Sequence, residues 1–236
     1  MTTASVRLGG ALDLVLPAYE APAQVLLDHP RARELFPEYL AASAYVALVM
    51  VPLMEAALAR ASVLASSDAV AAELVGYLER HIPEEMHGDE PGGDLLEDLA
   101  ALGVDAADLR EQRLPVPVAA LIGTQFFRIR HAHPVSVLGF LWLEAYPPLR
   151  SAVERLMEVT GLPPEGFRQL LEHSDVDLRH GRELATLYDS LPLTPWHERL
   201  VRLSALETMS FMTSAWLDVV ADGVPAAVGP RAATPR

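Results

Sequence analysis

The sequence contains no cysteine. That excludes disulfides, thiolate zinc sites, iron–sulfur clusters and a cysteine nucleophile. It also contains no lysine and no asparagine; all 18 basic residues are arginine, a skew we read as codon bias rather than chemistry. Positive charge is scarce, with 18 basic against 32 acidic residues and a formal charge of −14. No basic stripe offsets that charge, so a nucleic-acid partner is not expected. No apolar run reaches the roughly 20 residues of a membrane span. The most apolar, Leu40 to Met54, carries Ser43 and Pro52 and meets Glu55, and reads as a buried core helix. The opening MTTASVRLGG leads into a stretch interrupted by Asp13, which does not read as a secretory leader. A cytoplasmic protein with no membrane partner is the resulting expectation.

What is present is a 236-residue chain that is 51% hydrophobic, enough for one well-buried core. Strand alternation and glycine-rich phosphate loops are missing, and helix punctuation is frequent. Ser66-Ser67-Asp68 caps a segment running through Ala71, Leu74, Val75 and Leu78. Pro134 opens another that Pro147-Pro148 closes; Pro163-Pro164-Glu165 starts one bearing Phe167, Leu170 and Leu171. Thr194-Pro195 places an N-cap before a first-turn proline, and that helix runs to about Ala221. With segments near 30–61 and 115–132, the count is six or seven helices in one all-α bundle. Residues 1–22 read as an irregular arm, 23–221 as the helical domain and 222–236 as a flexible tail.

Three segments hold polar groups in unusual arrangements. In Glu172-His173-Ser174-Asp175-Val176-Asp177-Leu178-Arg179-His180, the residues His173, Asp177 and His180 stand at i, i+4 and i+7. On a helix they share one face, and two imidazoles with a carboxylate suit a divalent transition metal. In His81-Ile82-Pro83-Glu84-Glu85-Met86-His87, Glu84 and His87 form an E-x-x-H pair, the spacing that helical di-iron proteins use. Pro83 bends or ends any helix there, so the segment also reads as a loop beginning near His81. Glu144 ends the apolar segment Val137 to Leu143, where a buried carboxylate needs a partner or a metal.

The order E-x-x-H, a Glu about sixty residues on, then H-x3-D-x2-H resembles the haem-oxygenase-like di-iron oxidases and oxygenases. That family includes the 1-undecene-forming fatty-acid decarboxylase, N-oxygenases of nitrosourea biosynthesis, and enzymes that fragment or desaturate amino acids. The flanking text, LLEDLAALGV and LATLYDSLPL, is similar as well, and the resemblance spans about residues 67–221. It implies a haem-oxygenase-like bundle holding two Fe(II)/Fe(III) ions per chain. The implied ligands are Glu84, His87, Glu144, His173, Asp177 and His180, with Glu85 and His81 as alternates because Pro83 leaves the register open. O2 would be the co-substrate. A peroxo-di-iron(III) species would carry out C–H abstraction or N-oxygenation on a small organic substrate, an amino acid or related amine before a fatty acid. An external electron donor and a homodimer are compatible with this reading. Arg128 and Arg130 are candidate clamps for a substrate carboxylate, and Tyr77 and Trp142 candidate pocket walls. Two other readings stay open: the same fold with haem or no cofactor, and a metal-free helical interaction protein.

Overall fold

The computed structural model describes residues 2–87, 90, 91, 93–105, 109 and 114–222; the side chains of residues 87, 90, 91, 175–178 and 222 are outside this description. Ten α-helices are described: α1 (Ala4–Leu12), α2 (Leu16–Asp28), α3 (Ala32–Leu64), α4 (Ala69–His81), α5 (Gly93–Ala101), α6 (Val116–His131), α7 (Val137–Leu141), α8 (Arg150–Thr160), α9 (Arg168–Ser190) and α10 (Pro195–Asp222). Among the described residues the only strand pairing is a two-residue antiparallel bridge, Met86 with Pro91 and His87 with Glu90. The chain is an all-α bundle, as its punctuation predicts, with more and shorter helices than expected.

The surplus lies mainly at the N-terminus. Residues 4–28, largely expected as an irregular arm, form α1 and α2. Thr3 caps α1 by accepting from the Val6 N–H, and Leu8 and Leu12, one turn apart, are buried. Ser5 is tied to the end of α9, its N–H and hydroxyl donating to Asp189 at 2.8 and 2.6 Å. Tertiary contact thus fixes helices whose small residues give little intrinsic signal.

Helix α3 runs through the middle. Its first half buries Leu35, Phe36 and Leu40 in one apolar cluster, and its second half buries Val51, Leu53, Met54 and Ala57 in another. By length and composition α3 could cross a membrane, yet half of its most apolar window is covered by the bundle. Asp68 caps α4 by accepting from the Ala71 N–H at 3.0 Å, and Thr194 caps α10 by accepting from the His197 N–H at 3.3 Å. Gly139 lets α7 lie directly on α10, since a β-carbon there would stand 2.2 Å from the Val201 carbonyl oxygen. That contact fixes the base of the turn carrying Glu144.

Candidate metal centre

The centre begins where α4 stops. Pro83 has no N–H to continue the helical ladder. After His81 the chain tightens into a 3₁₀ turn, Ile82–Glu85, and Met86 is extended. That turn folds Glu84 and Glu85 back onto His81, with Glu84 Oε2 3.7 Å from Nδ1 and Glu85 Oε1 3.6 Å from Nε2. His81 itself is only 4% exposed. A second 3₁₀ turn, Trp142–Ala145, extends α7 and delivers Glu144, whose Oε1 lies 3.5 Å from His81 Nε2. Glu144 is 6% exposed, and its Oε2 is buried without a hydrogen-bond partner. From α9 comes His180, with Nδ1 3.7 Å from both Glu85 Oε1 and Glu144 Oε2, and Nε2 3.8 Å from Glu84 Oε2. Gly181 permits this approach, because a β-carbon there would sit 2.9 Å from the Ala145 α-carbon.

These separations suit a shared cation. Bonds of about 2.0–2.2 Å to one metal place its ligand atoms about 3 Å apart when adjacent and a little over 4 Å when opposite. The pairs above, at 3.5–3.8 Å, fall in that range and are too long for strong hydrogen bonds. Imidazole and carboxylate together are the donor set of iron, manganese and zinc sites. The orphaned Glu144 oxygen is what a metal ligand looks like before its partner is counted. Electrostatics agree. Burial opposes a charged His81, but the hydrogen bond and charge of Glu144, reinforced by Glu85 and Glu84, raise its pKa. Tyr77, stacked on His81 with centroids 5.0 Å apart, has its pKa pushed up by burial and then by the charge of Glu144.

No protein-family model matches the chain, and no curated protein matches it. Solved structures do. A domain of unknown function with a haem-oxygenase-like fold from Shewanella denitrificans superposes with a TM-score of 0.75 at 14% identity, covering 92% of each chain. This chain has a haem-oxygenase-like fold. A CADD-like protein of unknown function from Nostoc punctiforme matches with a TM-score of 0.65 at 20% identity, over 94% of this chain and 99% of that one. A TenA homologue from Pseudomonas syringae matches with a TM-score of 0.61 at 13% identity, over 90% and 93%. Such identities establish the fold alone.

Within this haem-oxygenase-like bundle, Glu84 and Glu144 both lie beside His180, although no spacing in the sequence links the three. The alternates Glu85 and His81 join them, and His81 and His180 each face all three carboxylates. The Glu84/His87 pair does not share a helix face, because α4 ends at His81 and His87 follows in extended backbone. The side chains of His87 and Asp177 lie outside the described residues. Helix α9 carries His173, Asp177 and His180 on one continuous face. His173 stands two turns before His180, about 10 Å along the axis, and is not in the His81, Glu85 and Glu144 group.

Arg128 is not free to clamp a substrate. Its guanidinium is paired with Glu207, Nε donating to Oε2 at 3.2 Å and Nη2 donating to Oε1. Arg130 is exposed and lies over the Phe126 ring, 5.2 Å from its centroid. Trp142 is buried edge-on against Tyr188 as part of the core.

One group was missed by sequence reasoning: Asp68, His133 and His197 also converge closely enough to hold an ion. Their hydrogen bonds argue against it. The Val135 N–H donates to His133 Nδ1 at 3.1 Å and the Thr194 N–H donates to His197 Nδ1 at 3.3 Å. Both rings must therefore carry their proton on Nε2, leaving no lone pair for a metal. His133 Nε2 instead donates to Asp68 at 3.1 Å. This group joins three helix starts. Its only sequence signal was capping, in Asp68 before α4, His133 before Pro134, and Thr194.

Proposed function

We propose that the protein is a non-haem iron oxidoreductase that activates O2 toward a small organic substrate, with two irons per chain. The observation carrying this reading is the convergence of His81, Glu85 and Glu144, with His180 and Glu84 beside them at histidine–carboxylate separations of 3.5–3.8 Å, and the orphaned Oε2 of Glu144. These five residues suffice for one ion. A second would draw on the α9 face bearing His173 and Asp177. Bound iron would supply the reduction of O2 and the oxidant for C–H abstraction or N-oxygenation.

The chain's own residues set the conditions. Glu144 and Glu85 place negative charge where a dication is held. His81 is fixed by the Tyr77 stack on one side and by Glu144 on the other. Burial keeps water from the carboxylate of Glu144, which strengthens its hold on a cation. Glu84, the more exposed carboxylate, marks the side on which solvent and substrate reach the centre. An amino acid or related amine is the favoured substrate class, a fatty acid the second, and an external donor would return electrons.

The test is an anaerobic Fe(II) titration with metal analysis, followed by brief O2 exposure. Two irons per chain in the wild type, with binding lost in Glu144→Gln, is the expected result. One iron would overturn the two-iron assignment, and none would overturn the metal reading.

A further inference from the structure

His180 does not present a free nitrogen to the centre. Arg179 Nη2 lies 2.9 Å from His180 Nε2. A guanidinium carries only donors and stays protonated. Nε2 must therefore accept, and the ring proton must sit on Nδ1. A neutral imidazole has one in-plane lone pair, and here Arg179 holds it. Ligation through Nε2 needs that lone pair directly. Ligation through Nδ1 moves the ring proton to Nε2, which would set one donor against another. Either way Arg179 has to leave.

We propose, resting on the metal reading above, that Arg179 is a displaceable counter-cation of this centre, which an incoming metal ion must drive off His180. Three observations support it. The carboxylates of Glu84, Glu85 and Glu144 all lie 3.7–3.8 Å from His180, so the arginine on that ring sits at the edge of a concentration of negative charge. Arg179 and His180 are consecutive on α9, about 100° apart around the axis, so their contact requires the arginine to curl back toward the ring. The arginine also has somewhere to go. Its side chain is 52% exposed, and its Nη1 already donates to Glu183 Oε1 at 3.2 Å, one turn further on. The backbone N–H groups on His133 and His197 differ in kind: they belong to helix starts and cannot swing away. The same tautomer logic thus closes the Asp68 group permanently and leaves the His180 centre gated by one mobile side chain. Arg179 sets the affinity of the centre below what its donors alone would give.

Two measurements test this. In chelator-treated, 15N-histidine-labelled wild type, long-range 1H–15N spectra should show His180 with its proton on Nδ1, and Arg179→Leu should shift it toward Nε2. In calorimetric Mn(II) titrations, Arg179→Leu should bind about fivefold more tightly, the worth of one modest hydrogen bond. Arg182→Leu removes the same charge from an exposed position on α9 and should stay within about twofold of wild type. His180→Gln should lose most binding while circular dichroism confirms its helicity. A wild-type His180 proton on Nε2 overturns the inference whether or not metal binds. Wild-type binding that His180→Gln abolishes and Arg179→Leu does not tighten overturns the inference and leaves the metal centre standing. No Mn(II) binding by wild type or Arg179→Leu overturns both.

Discussion

Replacing Gly181 by alanine should damage the metal centre more than the fold. The added β-carbon would stand 2.9 Å from the Ala145 α-carbon and 3.2 Å from its β-carbon. Carbon atoms in contact prefer about 3.5–4.0 Å, so α9 and the Trp142–Ala145 turn must separate by roughly 0.6–1 Å. The obstacle is backbone, which cannot rotate aside as a side chain could. That turn carries Glu144, and His180 precedes the glycine. Their separation, now 3.7 Å, would grow by several times the tolerance of about 0.2 Å expected of a metal–ligand distance. Metal affinity should fall by about 10–100-fold, the loss typical when the support of a ligand is disturbed. Stability has two opposed contributions. Overpacking costs about 1–3 kcal/mol, while replacing a helix-interior glycine by alanine returns about 1 kcal/mol. The net cost of about 0–2 kcal/mol lowers the melting temperature by no more than about 8 °C in a chain of this size. Calorimetric Mn(II) titration and thermal unfolding followed by circular dichroism read the two effects separately. A variant that melts above wild type and binds Mn(II) with unchanged affinity would refute the close approach and the role given to it.

Glu144→Gln keeps shape and hydrogen bonding but removes the charge, so Mn(II) affinity should drop by more than about 100-fold, beyond the effect of outer partners, with the fold intact; an affinity within about threefold of wild type would remove Glu144 from the ligand set. Asp68→Ala loses the cap on Ala71 and the acceptor of His133, and should cost about 2–3 kcal/mol in urea unfolding while leaving metal stoichiometry unchanged; a change in stoichiometry would reopen that group as a metal site. Burial lowers the pKa of His133 and His197 below the ordinary histidine value, with Asp68 opposing the shift at both and His197 and Arg60 adding to it at His133. Their contribution to stability is therefore complete above that value and lost as pH falls through the lower folded values. The stability gap between wild type and His197→Phe should shrink from pH 7.5 to 5.5, and a gap that widens on acidification would contradict the assignment.

The helical class was legible from residues alone. Asp68, Thr194, Pro115 and Pro134 mark real helix starts, because caps and prolines act locally on backbone hydrogen bonding. Helices α1 and α2 were not legible, since their order comes from the Ser5–Asp189 bonds and from burial of Leu8, Leu12 and Leu26 by distant segments. The site was legible by segment and by residue type, through carboxylates and imidazoles near residues 84, 144 and 180. Which of them converge was not. Pro83 converts a helical i, i+3 pairing of Glu84 with His87 into a turn that folds Glu84 and Glu85 onto His81. Arg128 looked like a substrate clamp because nothing in the sequence places Glu207 beside it, 79 residues away.

The sequence by itself determined the absence of thiol chemistry, the acidic surface, the helical architecture and the chemical types available for a metal centre, since composition and local backbone preference suffice for each. Only the tertiary structure decided which donors meet, that Gly139 and Gly181 allow the close approaches behind that meeting, and that hydrogen-bond partners set the Arg179 side chain against His180 and fixed backbone N–H groups against His133 and His197. A lone pair belongs to a residue type, but whether it is free depends on what the fold brings against it.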